Sequence, residues 1–253
     1  MTPTTTQPLR LFPELAGTRR FTSAEYHRLI DAGILGPADH VEMLDGHIIY
    51  KADFVDLPTD TVFPEWRLLR RWSSAEYHKM IDLGVLAGDE KLELLDGYLV
   101  LKMPMSKAHR GSLLRLASQL PSNLPGDWLL MTQCPISLDI SDPEPDGAVI
   151  RGVISDYDAR DVIAADFGIV IEVSDSTLEL DRNTKGRLYA RSGIPVYWII
   201  NVDDRQIEVY TNPDATANPP AYATRTDYAI DAAVPLVLDG HQVAMIPVAD
   251  LIP

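Results

Sequence analysis

Gly168-Ile-Val-Ile-Glu-Val-Ser174 decides how this chain is read. The run is rich in β-branched residues, too short for a helix and bounded by Asp and Gly breakers, so it predicts a buried central strand. Glu172 stands inside it. An ionised carboxylate in an apolar sheet is costly unless a cation or hydrogen-bond donors compensate it. A positive group is therefore expected nearby. Upstream, Pro143-Glu-Pro-Asp146 leads into a second apolar run, Gly147-Ala-Val-Ile150, with Asp146 at its mouth. Carboxylates on two neighbouring strands are one way proteins hold a hard, oxygen-seeking cation such as magnesium.

Around these strands the pattern predicts alternating elements. Ser106 to Leu120 keeps apolar residues at helical spacing (Leu113, Leu114, Leu116, Ala117, Leu120), and Pro121 ends that helix. Trp128–Thr132 and Pro135–Asp139 read as one bent strand or two. Residues 152–167 form a polar connection. Leu178 to Ser192 is a helix closed by Gly193, with Leu180, Thr184 and Leu188 on one face. Pro195–Ile200 and Gln206–Tyr210 are strands around an Asp203-Asp204 turn, and Tyr222–Tyr228 and Val234–Leu238 could add edge strands. The central order of helix, three strands, helix, strand defines an α/β layered domain with a mixed sheet.

A duplication precedes this core. Arg20-Phe-Thr-Ser-Ala-Glu-Tyr-His-Arg-Leu-Ile-Asp-Ala-Gly-Ile-Leu35 returns as Arg71-Trp-Ser-Ser-Ala-Glu-Tyr-His-Lys-Met-Ile-Asp-Leu-Gly-Val-Leu86, and the offset (71 − 20 = 51) holds without a gap through Glu42-Met-Leu-Asp-Gly46 and Glu93-Leu-Leu-Asp-Gly97. Thr22 or Ser73 is the N-cap of each copy, Glu25 or Glu76 completes a capping box, and Gly33 or Gly84 closes the helix. An apolar run broken by Asp-Gly follows, which predicts a hairpin. The domain reading is a loose N-terminal tail over 1–19, a helix–hairpin unit with its connector over 20–70, a core over 71–212 beginning with the second copy, and a C-terminal β extension over 213–253.

Bulk numbers narrow the setting. With 253 residues, 46% of them hydrophobic, the chain can bury one good core and an appendage. The single cysteine, Cys134, excludes an internal disulfide framework. No apolar run has the length of a membrane span and the first twenty residues lack a signal-peptide core, so no membrane association is expected and the expected address is the cytoplasm. A formal net charge of −15 argues against a protein that coats nucleic acid, although a local basic site is compatible with it.

Pro145-Asp146, then Ile171-Glu-Val-Ser174, then Asp181 and Lys185 followed by Tyr189 and Gly193-Ile-Pro-Val-Tyr-Trp-Ile-Ile200, resembles the Uma-type family of nucleases with the restriction-endonuclease-like PD-(D/E)xK fold. The resemblance covers about 71–212. It implies an αβββαβ core, a mixed sheet flanked by helices, and phosphodiester hydrolysis in DNA. It implies that Asp146, Glu172 and the backbone carbonyl of Val173 hold Mg²⁺, with Mn²⁺ as a substitute and Glu93 as an outer carboxylate. Lys185 would be the catalytic amine, because Ser174 stands where the parent fold has its lysine. His109, Arg182 and Arg187 would meet the phosphate backbone, the two arginines as part of a basic helix that also carries Arg191. Val196 and Asn201 depart from the family's usual Glu and Asp.

Plainer uses of these residues stay open. Pro-Asp also suits a turn. Lys185 lies four residues after Asp181, the spacing of a surface ion pair worth roughly a few tenths of a kcal/mol. His109 also fits an ordinary helix surface. Glu42, the copy of Glu93, favours a structural role for both. The functions in view are a metal-dependent nuclease and, as the alternative, a catalytically inactive nuclease-fold module acting in binding or assembly, with the duplicated unit making the interface of a homodimer. A hydrolase of small phosphoesters is a third.

Overall fold

The strand built on the opening stretch, Phe167–Ser174, is buried at all eight positions. In the computed structural model, which describes residues 17–51, 53–59, 66–138, 140–160 and 162–253, it lies within a six-stranded sheet. We number the elements along the chain. The first unit comprises α1 (Ser23–Asp31), β1 (Val41–Leu44) and β2 (His47–Tyr50); the second comprises α2 (Ser74–Asp82), β3 (Leu92–Leu95) and β4 (Tyr98–Leu101). The core comprises α3 (Lys107–Gln119), β5 (Trp128–Met131), β6 (Gly147–Arg151), β7 (Phe167–Ser174), α4 (Gly186–Arg191), β8 (Val196–Asn201), β9 (Gln206–Asp214) and β10 (Ala221–Ala229). A final hairpin joins β11 (Ala233–Leu238) to β12 (His241–Pro247).

The sheet order is β10-β9-β8-β7-β6-β5, and the β7–β8 pairing is parallel, as a crossover through a helix requires. Alternation along β7 then sorts the core. Ile169, Ile171 and Val173 face Leu116 and Leu120 of α3 and the β11–β12 hairpin. Val170 faces Leu188 and Tyr189 of α4, with Leu95 and Tyr98 of the second unit. Glu172 and Ser174 share the parity of Val170, so both point toward α4. Gly147, opposite Ile171, lets α3 close onto the sheet, since a Cβ there would stand 2.7 Å from Leu116 Cδ2.

Several expectations need correction. Residues 1–16 of the tail lie outside the described residues, but Thr18 and Arg19 are buried, Thr18 bridging to Val100. The Pro135–Asp139 strand is absent among the described residues; Leu138 makes only an isolated bridge to Ser141. The sheet also continues past residue 212, because β9 runs to Asp214 and β10 pairs along it. The helix expected over 178–192 contains a π segment at Leu180–Lys185 before α4 begins.

Both copies of the duplicated sequence form the same elements. Each helix has nine residues, a complete capping box and a C-terminal glycine at positive φ, and each hairpin pairs four residues with four around Asp-Gly. No helix among the described residues is long and apolar enough to cross a membrane.

Candidate active site

Asp146 directly precedes β6, whose first residue, Gly147, opposes Ile171 of β7, which brings Asp146 to the neighbourhood of Glu172 and Val173. One Asp146 oxygen, Oδ2, accepts the Val173 backbone N–H at 2.8 Å, and the other, Oδ1, is 3.1 Å from His109 Nε2. His109 is in the first turn of α3, whose N-cap Ser106 accepts its backbone N–H. Capping therefore fixes where the imidazole enters the site.

Lys185 arrives from the opposite side. Its Nζ is 2.9 Å from Glu172 Oε1, 3.6 Å from Glu93 Oε2 and 3.9 Å from Asp181 Oδ1. The π segment sets this approach. Its i→i+5 bonding, closed by Gly186 N–H donating to the Asp181 carbonyl, widens the turn and keeps residues four apart on one side. Asp181, Lys185 and Tyr189 consequently all face the sheet. Tyr197 Oη also donates to the Asp181 carbonyl at 3.1 Å, and Tyr189 Oη donates to Glu172 Oε1 at 2.7 Å.

Glu93, on β3, lies between two amines, 3.6 Å from Lys185 and 3.8 Å from Lys102, and is only 8% exposed. Lys102 also pairs with Glu144. Glu42, its copy on β1, is exposed. The same sequence position thus faces the cleft in the second unit and solvent in the first.

These groups line one cleft of about 440 Å³ that includes Glu93, His109, Asp146, Glu172, Val173, Asp181 and Lys185. Its charge balance is lopsided. Burial pushes the Glu172 carboxyl well above its ordinary value, Lys185 opposing this while Asp146, Asp181 and Glu93 add to it. Burial also raises Asp181. Burial alone would lower Lys185, but Glu172, Glu93 and Asp181 together hold it well above the usual lysine value, so the amine stays charged. For His109 burial is likewise outweighed, by Asp146, and the ring pKa is raised. Carboxylates outnumber amines here, so the cleft favours an additional positive charge.

Oxygen donors from two carboxylates suit a hard divalent cation. Among the described residues, however, no three His, Cys, Asp or Glu side chains converge tightly enough to hold a metal ion by themselves. A divalent cation held here would be bound through one or two carboxylates and would keep much of its water.

The arginines are placed differently from the expectation. Neither Arg182 nor Arg187 lines the cleft. The Arg182 Nε is 3.0 Å from Glu208 Oε2 on β9, and Arg191 Nη1 is 2.8 Å from Asp96 Oδ1. Buried carboxylates elsewhere in the core draw these two guanidiniums inward, away from the cleft. Two residues of the site, Asp181 in the cleft and Tyr189 buried behind Glu172, were not foreseen as functional. Asp181 was legible only as the partner of Lys185, and Tyr189 only as part of the motif; its spacing of four from Lys185 was the available signal.

A mixed αβββαβ sheet with Glu172 on β7, Asp146 at the start of the neighbouring β6 and Lys185 beside Glu172 defines the restriction-endonuclease-like class. Within that class the chain belongs to the Uma2 family, whose model, described as "Putative restriction endonuclease", matches residues 74–240. Among solved structures, a putative nuclease from Anabaena variabilis has a similar fold: TM-score 0.51 and 16% sequence identity, over 67% of this chain and 94% of that one. No curated protein matches the chain.

Proposed function

We propose that the chain is a magnesium-dependent endonuclease that hydrolyses DNA phosphodiester bonds, with manganese able to substitute. The observation that carries this reading is the meeting of three side chains distant in sequence: Lys185 is 2.9 Å from Glu172, and Asp146 lines the same cleft and accepts the N–H of Val173, the residue after Glu172, at 2.8 Å. Asp146, Glu172 and the Val173 carbonyl are the residues that would hold the cation, with Glu93 as an outer carboxylate. A divalent ion bound there lowers the pKa of a coordinated water and polarises a phosphoryl oxygen.

The remaining work belongs to the chain. Lys185, kept protonated by its carboxylate neighbours, supplies positive charge where negative charge develops on the phosphate, a contribution of roughly 10²–10³ in rate for one such group. His109 and the Val173 N–H hold the two Asp146 oxygens in place. With Arg182 and Arg191 committed to internal carboxylates, the acidic cleft repels a phosphate backbone until a cation is present, which couples substrate binding to metal binding.

The alternative, an inactive nuclease-fold module, is favoured by one observation: both Asp146 oxygens and one Glu172 oxygen already have protein partners. Thermal melts and DNA cleavage assays separate the two. Millimolar Mg²⁺ or Mn²⁺ is expected to raise Tm, Asp146→Asn or Glu172→Gln to remove the shift, and Lys185→Met to retain metal binding while losing cleavage. A native chain whose Tm ignores both ions defeats the enzyme reading; a metal shift without cleavage of any DNA favours the module.

A further inference from the structure

The two helix–hairpin units touch through contacts that recur at an offset of 51 residues with the units exchanged. Arg19, leading into the first unit, donates to Glu25 of its own unit at 2.7 Å and to Glu90 of the second at 3.0 Å. Arg70, leading into the second, donates to Glu76 of its own unit at 2.6 Å and to Asp39 of the first at 2.9 Å. Arg28 of α1 donates to the Leu83 carbonyl, and Lys79 of α2 donates to the Ala32 carbonyl.

The backbone follows the same rule. Arg19 N–H donates to the Leu99 carbonyl at 2.9 Å and Leu101 N–H to that of Gly17 at 2.7 Å; Arg70 N–H donates to the Ile48 carbonyl at 2.9 Å and Tyr50 N–H to that of Leu68 at 2.8 Å. Each hairpin thus takes its third extended segment from the lead-in of the other unit. At the centre the equivalent residues Phe21 and Trp72 meet each other, ring centroids 5.8 Å apart, beneath the guanidiniums of Arg19 and Arg70 respectively. One apolar core joins the units, and it contains the equivalent pairs Leu29 and Met80, Leu35 and Leu86, and Ile48 and Leu99.

Contacts in which residue i of one unit meets j of the other while j meets i are those of an isologous, two-fold interface. The second unit by itself carries both halves of every exchange: Arg70 and Glu90, Lys79 and the Leu83 carbonyl, the lead-in 68–70 and the β4 edge that receives one. The family match, residues 74–240, takes in this second unit with the core and leaves out the first.

We infer that the first unit occupies, from within the chain, the surface through which the second unit would otherwise pair with a second copy of this chain. The tether keeps the internal partner at an effective concentration on the order of millimolar, which closes the native chain as a monomer. Displacement of the first unit opens a two-fold homodimer built on Trp72, Arg70 and Glu90. This inference does not rest on the nuclease reading.

The test is the solution mass by light scattering at micromolar protein. The native full chain is expected to be monomeric. The full-length triple variant Arg19→Glu, Phe21→Asp, Asp39→Arg reverses both exchanged charges and places a carboxylate at the centre, all from the first unit's side, and its mass is expected to double. Adding Glu90→Arg sets a second guanidinium against that of Arg70 across the new two-fold axis and is expected to return the monomer. A dimeric native chain overturns the inference, as does a triple variant that stays monomeric or forms only polydisperse aggregate. Doubling that survives Glu90→Arg overturns it as well.

Discussion

At Lys185 a buried ammonium and a buried carboxylate depend on each other. Lys185→Met leaves Glu172, 3% exposed, without its cation. Breaking one side of such a pair costs about 3–5 kcal/mol. Urea unfolding should show a loss of that size, and the double variant Lys185→Met, Glu172→Gln should recover most of it; if the single variant unfolds like the native chain, the pair is not what compensates the carboxylate. Glu172 was legible because a carboxylate among β-branched residues violates the local pattern, and a rule broken inside a strand points to a partner elsewhere. Asp181 was hidden by the opposite circumstance. Its spacing to Lys185 is that of an everyday surface pair, and only burial, 2% exposed, distinguishes it. Arg182 misled for lack of an anchor, since its partner Glu208 sits on β9, 26 residues on.

Among the elements, β6 carries a close packing constraint at its first residue. Gly147→Val would drive a side chain into Leu116 and Ile171, separating α3 from the sheet. Overpacking of this kind costs about 1–3 kcal/mol, and the variant should melt at a correspondingly lower temperature; an unchanged Tm would mean that α3 yields freely. The strands and capped helices were readable because alternation, capping boxes and Asp-Gly turns act locally. The π segment was not, because a periodicity of four suits both a wide and an ordinary turn, and only the surrounding tyrosines select between them. One signal was overlooked: Asp239-Gly240, both at positive φ, joins β11 to β12 as Asp45-Gly46 and Asp96-Gly97 join the earlier hairpins.

For the molecule as a whole, acid stability has an assignable source. Burial alone would raise Glu208, but Arg182, Asn201, Tyr210 and Arg225 outweigh it and hold the carboxyl at about 2, below its ordinary 4.5. A depressed acid contributes stability above its unfolded pKa and loses it as pH falls toward the folded value. Linkage makes this about 3 kcal/mol. Stability measured across pH 5 to about 2 should therefore fall steeply in the native chain and more gently in Glu208→Gln; parallel curves would refute the assignment. The relation between the two units was only half legible, since a repeat announces two like folds but not which surfaces they share. The exchange of lead-ins bears on synthesis. The backbone of residues 17–19 pairs with β4, so the earliest described segment to leave the ribosome finds its backbone partners only once Leu101 has followed.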